Sequence, residues 1–302
     1  MPAKHRTLGF LACALASAIW GCGFYFGKIA LTEMSVGAMV LYRFLFGTVG
    51  LLPLLFTHRP QFSAADWRTL LLASLFGIPM LFLLEFRGLA LTTVSHGSLM
   101  VGVTPVVLAI AAVHFAHERM HAIGWVALGV STLGAALIAL SSSNSHEAHG
   151  PSLAGDLLIA GSTLIALLWI LFNKRLMETH NHLTVTAYGV TAGTLMLVLW
   201  VPLTWGMPPL HGISLHVWGA LAASGLLCTA TTTLLWNWGI TQVPASQAGV
   251  LLNLEPLIGS LLGVFLLHEH LGALAWLGGA LILTAAFTLT TRATEPSLAE
   301  AG

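Results

Sequence analysis

Apolar residues run through this chain in stretches of about twenty, broken by charge, proline or short polar clusters. Ten stretches can be read, at residues 8–30, 36–56, 69–90, 96–116, 121–140, 155–173, 184–204, 216–240, 246–267 and 272–291. Each matches the roughly 20 residues a helix needs to cross a hydrocarbon layer of about 30 Å. The pattern therefore predicts an all-α membrane protein with ten transmembrane helices. The joints at 31–35, 91–95, 117–120, 241–245 and 268–271 are so short that consecutive spans must form antiparallel hairpins. The longest interruption, Ser141 to Ala154, divides the chain into five spans and five spans, at 8–140 and 155–292. Strands of a membrane β-barrel would be about half as long and would alternate in polarity.

Composition sharpens this picture. Of 302 residues, 57% are hydrophobic and only 7% are Asp, Glu, Lys or Arg, against roughly 25% charged in a soluble domain. Eleven basic side chains balance eleven acidic ones, so no basic field points to nucleic acid. Cys13, Cys22 and Cys228 lie inside apolar runs and form neither a disulfide framework nor a metal cluster by spacing. No Walker A pattern is present, which argues against nucleotide drive by this chain.

The basic residues set the orientation. With the N-terminus in the cytoplasm, Lys4, Arg6, Arg59, Arg68, Arg119, Lys174, Arg175 and Arg292 fall inside, eight of eleven. Lys28 and Arg87 lie near the outer face. By the positive-inside rule, both termini are expected in the cytoplasm, with the chain in the inner membrane. Lys4, Arg6 and the small residues near Ala16 resemble a cleaved leader. The apolar run continues through Trp20 and Phe26, however, and cleavage would spoil the charge pattern.

The two halves overlay without a gap at a fixed offset of 151. Gly88 matches Gly239, Ser95 matches Ser246, Pro105 matches Pro256, His117-Glu118 matches His268-Glu269, and Trp125 matches Trp276. Each half holds an odd number of spans, so the second copy is expected upside down relative to the first. Secondary transporters are built this way, with the substrate near mid-membrane between the repeats.

These residues also carry a family likeness. Trp20-Gly21 with Phe24, Arg43-Phe44, Pro105 with Glu118, and Glu255-Pro256 with Glu269 resemble the drug/metabolite transporter superfamily, in particular its EamA-type members with two five-helix repeats. The resemblance covers about residues 8–291. It implies a secondary carrier, often an exporter, of amino acids, amines, other small metabolites or drugs.

Ionisable groups within the hydrocarbon cost about 2.5–3.5 kcal/mol on insertion scales and usually face a cavity or a partner. Glu255 lies near mid-depth of the ninth span, before Pro256. A proline there removes a backbone donor, so carbonyls near residue 252 are expected to be free. The matching Thr104-Pro105 keeps the proline without the acid. Glu255 is a candidate for proton coupling or for binding a substrate ammonium, against the plainer reading of a hydrogen-bonded structural acid. Arg43 and Glu85 have similar depths and are expected to pair along the outer half of a cavity, the alternative being that each snorkels to the headgroups.

A cavity also needs polar groups among apolar and aromatic walls. Trp20 and Trp169 hold comparable places in the two halves, and Asn173 lies one turn after Trp169 on the same face. Trp236 and Asn237 form a polar interruption of the eighth span, and Asn253 lies close to Glu255. Interfacial anchoring of tryptophans and amide glue between helices are the competing readings.

His117-Glu118-Arg119-Met120-His121 is a literal HExxH. It falls at a short turn, and its copy at residue 268 lacks the second His, so His-Glu belongs to the repeat's junction. Of fourteen histidines most lie in loops; His96, near the expected outer mouth, is a pathway candidate. Gly-x-x-x-Gly pairs at 23/27, 189/193 and 259/263 allow close helix approach. The expected protein is a carrier without cofactor or metal, a monomer or homodimer, exporting a small metabolite or amino acid in exchange for protons. An intramembrane enzyme (metalloprotease or lipid-modifying) and a lipid flippase or partner subunit are the alternatives.

Overall fold

A computed structural model describes residues 3–104, 122–143, 150–242 and 251–292, and among these there are helices and no strands. The helices are α1 (Ala3–Ala30), α2 (Val36–Thr57), α3 (Ala64–Leu75), α4 (Leu81–Leu91), α5 (Val94–Val101) and α6 (Ala122–Ser143). The second half adds α7 (Leu153–Met177), α8 (His182–Trp205), α9 (Leu215–Gly225), α10 (Thr232–Gln242), α11 (Leu254–Leu266) and α12 (Ala273–Arg292). A π-helical turn at Phe76–Met80 joins α3 to α4, and another at Leu226–Thr231 joins α9 to α10. Among the described residues six helical runs are long and apolar enough to cross a membrane: Thr7–Ala30, Val36–Thr57, Ala64–Leu91, Leu153–Met177, His182–Trp205 and Leu215–Gln242. Leu254–Leu266 and Ala273–Ala285 are shorter apolar helices. The protein is therefore an all-helical, multi-pass bundle. Pro105, Glu118, the rest of the HExxH stretch and Ser246 lie outside the described residues.

Polar side chains at the helix starts explain where the elements begin. Ser35, Ser63, Thr93, Ser152, Asn181 and Ser214 each accept a backbone N–H of the following first turn, satisfying donors that a helix cannot pair internally. Ser63 and Asp66 form a reciprocal capping box. Glu269 caps from a distance: its two carboxylate oxygens accept the N–H groups of Val94 and Ser95, each at 2.7 Å. That contact joins the 267–272 turn to the start of α5.

Glycines set how closely the helices approach. A Cβ on Gly21 would lie 2.6 Å from the Glu255 carbonyl, and one on Gly225 2.4 Å from the Arg43 carbonyl. Gly88 and Gly155 are reciprocal, each Cβ position lying 2.7 Å from the other's carbonyl oxygen. Gly134 on α6 and Gly278 on α12 repeat this at 2.6 and 2.5 Å. Without a hydrophobic force between helices in lipid, such close backbone packing supplies much of the association energy. Of the sequence's Gly-x-x-x-Gly pairs, Gly259 and Gly263 sit against Ser98 and Ser95, whereas a Cβ on Gly189 would meet ordinary van der Waals contacts.

One end of the bundle gathers the turns near residues 31–35, 91–95, 150–153, 206–214 and 267–272. Glu33 accepts the Ser214 N–H at 2.7 Å there, and Tyr42 donates its hydroxyl to the Pro209 carbonyl at 2.8 Å. Lys28 donates to the carbonyls of Leu89 and Thr92 at the end of α4, a favourable place for a cation. The opposite end brings together the starts of α3 and α8 and the ends of α7 and α10. His180 lies 3.2 Å from Asp66 at this end, with its ring against Phe62.

Candidate functional site

The π-turns place the site. Each inserts one residue into a helical turn, widening it and disturbing the regular hydrogen-bond ladder, a device frequent at functional positions. Phe76 and Leu226, where they begin, are 150 residues apart, and Met80 and Thr231, where they end, are 151 apart. Between them, near the middle of the bundle, lies a cavity of about 130 Å³. Six of the expected site residues line it: Trp20, Arg43, Glu85, Trp169, Trp236 and Glu255. Residues from α1, α2, α4, α5, α7, α10 and α11, and from both π-turns, contribute to the wall. The paired helices α6 and α12 contribute none among the residues named for it.

Arg43 is 2% exposed, and the hydrogen bonds of its guanidinium among the described residues go to neutral groups. Nε donates to Thr229 Oγ1 at 3.0 Å, and Nη2 donates to the Cys228 carbonyl at 3.2 Å. Its Cζ lies 4.7 Å from the centroid of Phe82 and 5.3 Å from that of Phe86, within cation–π range. The expected ion pair with Glu85 is not formed: no contact within salt-bridge distance joins them. The second π-turn offers a carbonyl and a hydroxyl in fork geometry, and arginine's planar donors take that cradle instead.

Glu85 and Glu255 make no side-chain hydrogen bond or ion pair among the described residues, and both face the same cavity. Around them the wall is aromatic. Trp20 and Trp236 have ring centroids 5.4 Å apart, and Phe82 stacks beside Phe86. The wall residues Ser162, Thr163 and Thr104 donate their hydroxyls to carbonyls within their own helical turns or to the preceding one.

The other expected residues fall elsewhere. Asn173 and Asn237 line a second, smaller cavity of about 20 Å³, where Asn237 Nδ2 donates to Thr186 Oγ1 at 2.6 Å. The run Leu215–Gln242 is unbroken at Trp236-Asn237; its irregular turn is the π-turn before them. Asn253 precedes α11 without capping it through its side chain and does not line the cavity. Pro256 sits in the first turn of α11, where a missing N–H disrupts little. The Leu252 carbonyl, expected to be free, accepts the Glu255 N–H at 3.1 Å, because residues 252–253 form a turn rather than a kinked helix. His96 is not at a cavity mouth. It is buried against the first turn of α7, its Nδ1 3.3 Å from Asp156 Oδ2, while Thr92 donates to the other oxygen of Asp156 at 2.7 Å. Glu269 serves as the cap described above.

Sequence reasoning missed Gly77, Cys228 and Thr229. The available signal was the 151-residue offset itself, which superposes Gly77 on Cys228 and therefore one π-turn on the other. No group of three or more potential metal ligands occurs among the described residues.

An aromatic-walled chamber with charged side chains among apolar helices marks a multi-pass membrane protein with a candidate small-molecule site. Comparison with known proteins gives the class its name. The EamA-like transporter family matches residues 7–140 and again 153–291, and the chain belongs to that family. An uncharacterized transporter of Archaeoglobus fulgidus is 23% identical over 284 residues, covering 93% of this chain and 97% of that protein. The biotin transporter of Escherichia coli is 23% identical over 276 residues, covering 90% and 89%. A solved crystal structure is similar with a TM-score of 0.67 at 16% identity, covering 96% of this chain and 99% of that one, a likeness of fold.

Proposed function

We propose that this protein is a secondary active carrier that exports a small metabolite bearing an ammonium group, an amino acid or amine, in exchange for protons. The observation that carries this reading is the pair Glu85 and Glu255, two carboxylates that accept no hydrogen bond from the described residues and face one chamber with a single guanidinium, Arg43, named on its wall. Leaving both ionised and unpaired in such a place is expensive, so each takes a proton or a substrate cation. Proton and ammonium then compete for the same oxygens, and competition of this kind couples two opposed fluxes through one site. Tryptophan faces favour the same occupant through cation–π attraction. The relative named a biotin transporter suggests a carboxylate cargo as the second reading. Here the one guanidinium on the wall already serves Thr229 and Cys228, which favours the ammonium.

Alternating access by rocking of two inverted repeats is the mechanism that the 151-residue offset and the matched π-turns support. The proposed repeats are 8–140 and 155–292, in a ten-span protein of the inner membrane with cytoplasmic termini. The test begins with a thermal-shift screen of purified protein against amino acids and amines, since a ligand that prefers the folded state raises its apparent stability. Counterflow of the best ligand in proteoliposomes under an imposed pH gradient follows. Glu255→Gln is expected to insert normally and to abolish gradient-driven flux. A wild-type rate in that variant would remove Glu255 from the coupling step.

A further inference from the structure

The two cavities are neighbours, and the wall between them is thin. Ile78, Trp169 and Thr233 line both. The smaller one lies towards one end of the bundle: Ser74 precedes Gly77 on its helix, Asn173 follows Trp169, and Asn237 follows Thr233. That end is the one where the starts of α3 and α8 meet the ends of α7 and α10. Its lining differs in kind from the chamber's, with two amides, three hydroxyls from Ser74, Thr186 and Thr233, room for about one water, and no carboxylate or guanidinium among the described residues.

Trp169 is held loosely for a residue in this position. Its indole makes no hydrogen bond or ring contact among the described residues, whereas Trp20 is paired with Trp236. It sits against Gly77, inside the first π-turn, where an added Cβ would lie 2.1 Å from Trp169 Cδ1 and 2.5 Å from Cγ. A bare glycine in a widened turn thus forms the seat for the ring.

We propose that Trp169 is a swinging barrier between the substrate chamber and a polar antechamber, and that substrate and water pass through this antechamber to reach that end of the bundle. The inference rests on the carrier reading above, but its test does not require transport. Rotation of the indole off Gly77 merges the two spaces, and the amides then offer hydrogen bonds to a solvated cargo in place of the chamber's carboxylates. Sequence charge assigns this end to the cytoplasm.

Cys228 lines the chamber and is fully buried at rest, so its labelling reports opening of the wall around it. In a Cys13→Ala, Cys22→Ala background it is the remaining thiol, so its modification by a membrane-impermeant cationic methanethiosulfonate measures entry. Reagent is applied to one side at a time, in inverted vesicles or spheroplasts. Trp169→Ala is expected to raise the rate at least tenfold from the antechamber side only. Gly77→Ala, which unseats the ring without removing it, is expected to do the same in part, and Trp276→Ala, on the exposed face of α12, to do nothing. Unchanged rates in folded Trp169→Ala or Gly77→Ala protein would overturn the barrier, as would equal acceleration from both sides. A carrier that loses Glu255-dependent flux yet shows sided acceleration of Cys228 would separate failure of the coupling model from failure of the gate.

Discussion

The two π-turns are the same backbone device put to different uses. At Phe76–Met80 the turn contains Gly77 and Pro79, and it meets its neighbours through side chains: Gly77 against the Trp169 indole, Phe76 stacked on Phe172, and Ile78 against Gly193. At Leu226–Thr231 the turn presents the Cys228 carbonyl and Thr229 hydroxyl to Arg43, and the preceding Gly225 is pressed against the Arg43 carbonyl, Phe46 Cβ and Gly47 N. A side chain can rotate away; a neighbouring backbone cannot. The first turn therefore reads as the wall that moves and the second as the one that anchors.

The widest test of that contrast is a matched pair of alanines. Gly225→Ala forces a methyl into backbone at 2.4 Å and is expected to cost about 3 kcal/mol or more, seen as loss of monodisperse protein or a large fall in Tm. Gly77→Ala is expected to lower Tm by less than Gly225→Ala, because its neighbour is an indole that can turn about its side-chain bonds rather than backbone. Equal destabilisation by both would erase the distinction. A smaller effect is expected from Arg43→Lys. The ammonium keeps the charge but loses the planar fork and its stacking on Phe82, at about 1–3 kcal/mol; wild-type melting would mean the fork is dispensable.

The smallest effect tests how the anchor is tethered. Glu33 lies in the turn between α1 and α2, outside the spans, and the Ser214 backbone N–H and hydroxyl beside it hold its carboxyl below the usual range. A depressed acid stabilises the fold above its unfolded pKa, and that contribution disappears as pH falls through the folded value. Glu33→Gln should therefore lower Tm slightly at neutral pH and merge with wild type under acid conditions. A difference that persists at low pH would assign the effect to packing instead.

The helices were legible in the sequence because lipid imposes one simple demand, about twenty apolar residues per crossing, and capping residues mark the ends. The chamber residues Trp20, Arg43, Glu85, Trp169, Trp236 and Glu255 were also legible, since charge and indole within hydrocarbon are unusual wherever they occur. Partners were not. Arg43 was matched to Glu85 by depth alone, whereas the true acceptors are a carbonyl and a hydroxyl exposed by a π-turn that leaves no compositional trace. His96 failed for a related reason: its helix turns it towards Asp156, and helix rotation is set by packing rather than by span length. Asn237 was found as a polar residue in an apolar run, but nothing in the run says that it faces the smaller of two spaces.

The reciprocal contact of Gly134 with Gly278 has a consequence for how the protein is made. The two glycines lie 144 residues apart in the chain, so at ordinary elongation speeds of about 5–20 residues per second the first waits roughly seven to thirty seconds for its mate. During that interval the glycine face of α6 has only lipid or the insertion machinery to rest against. Completion of this pair thus waits on nearly the whole second half of the chain, and a ribosome that stops before residue 273 leaves α6 without its partner helix.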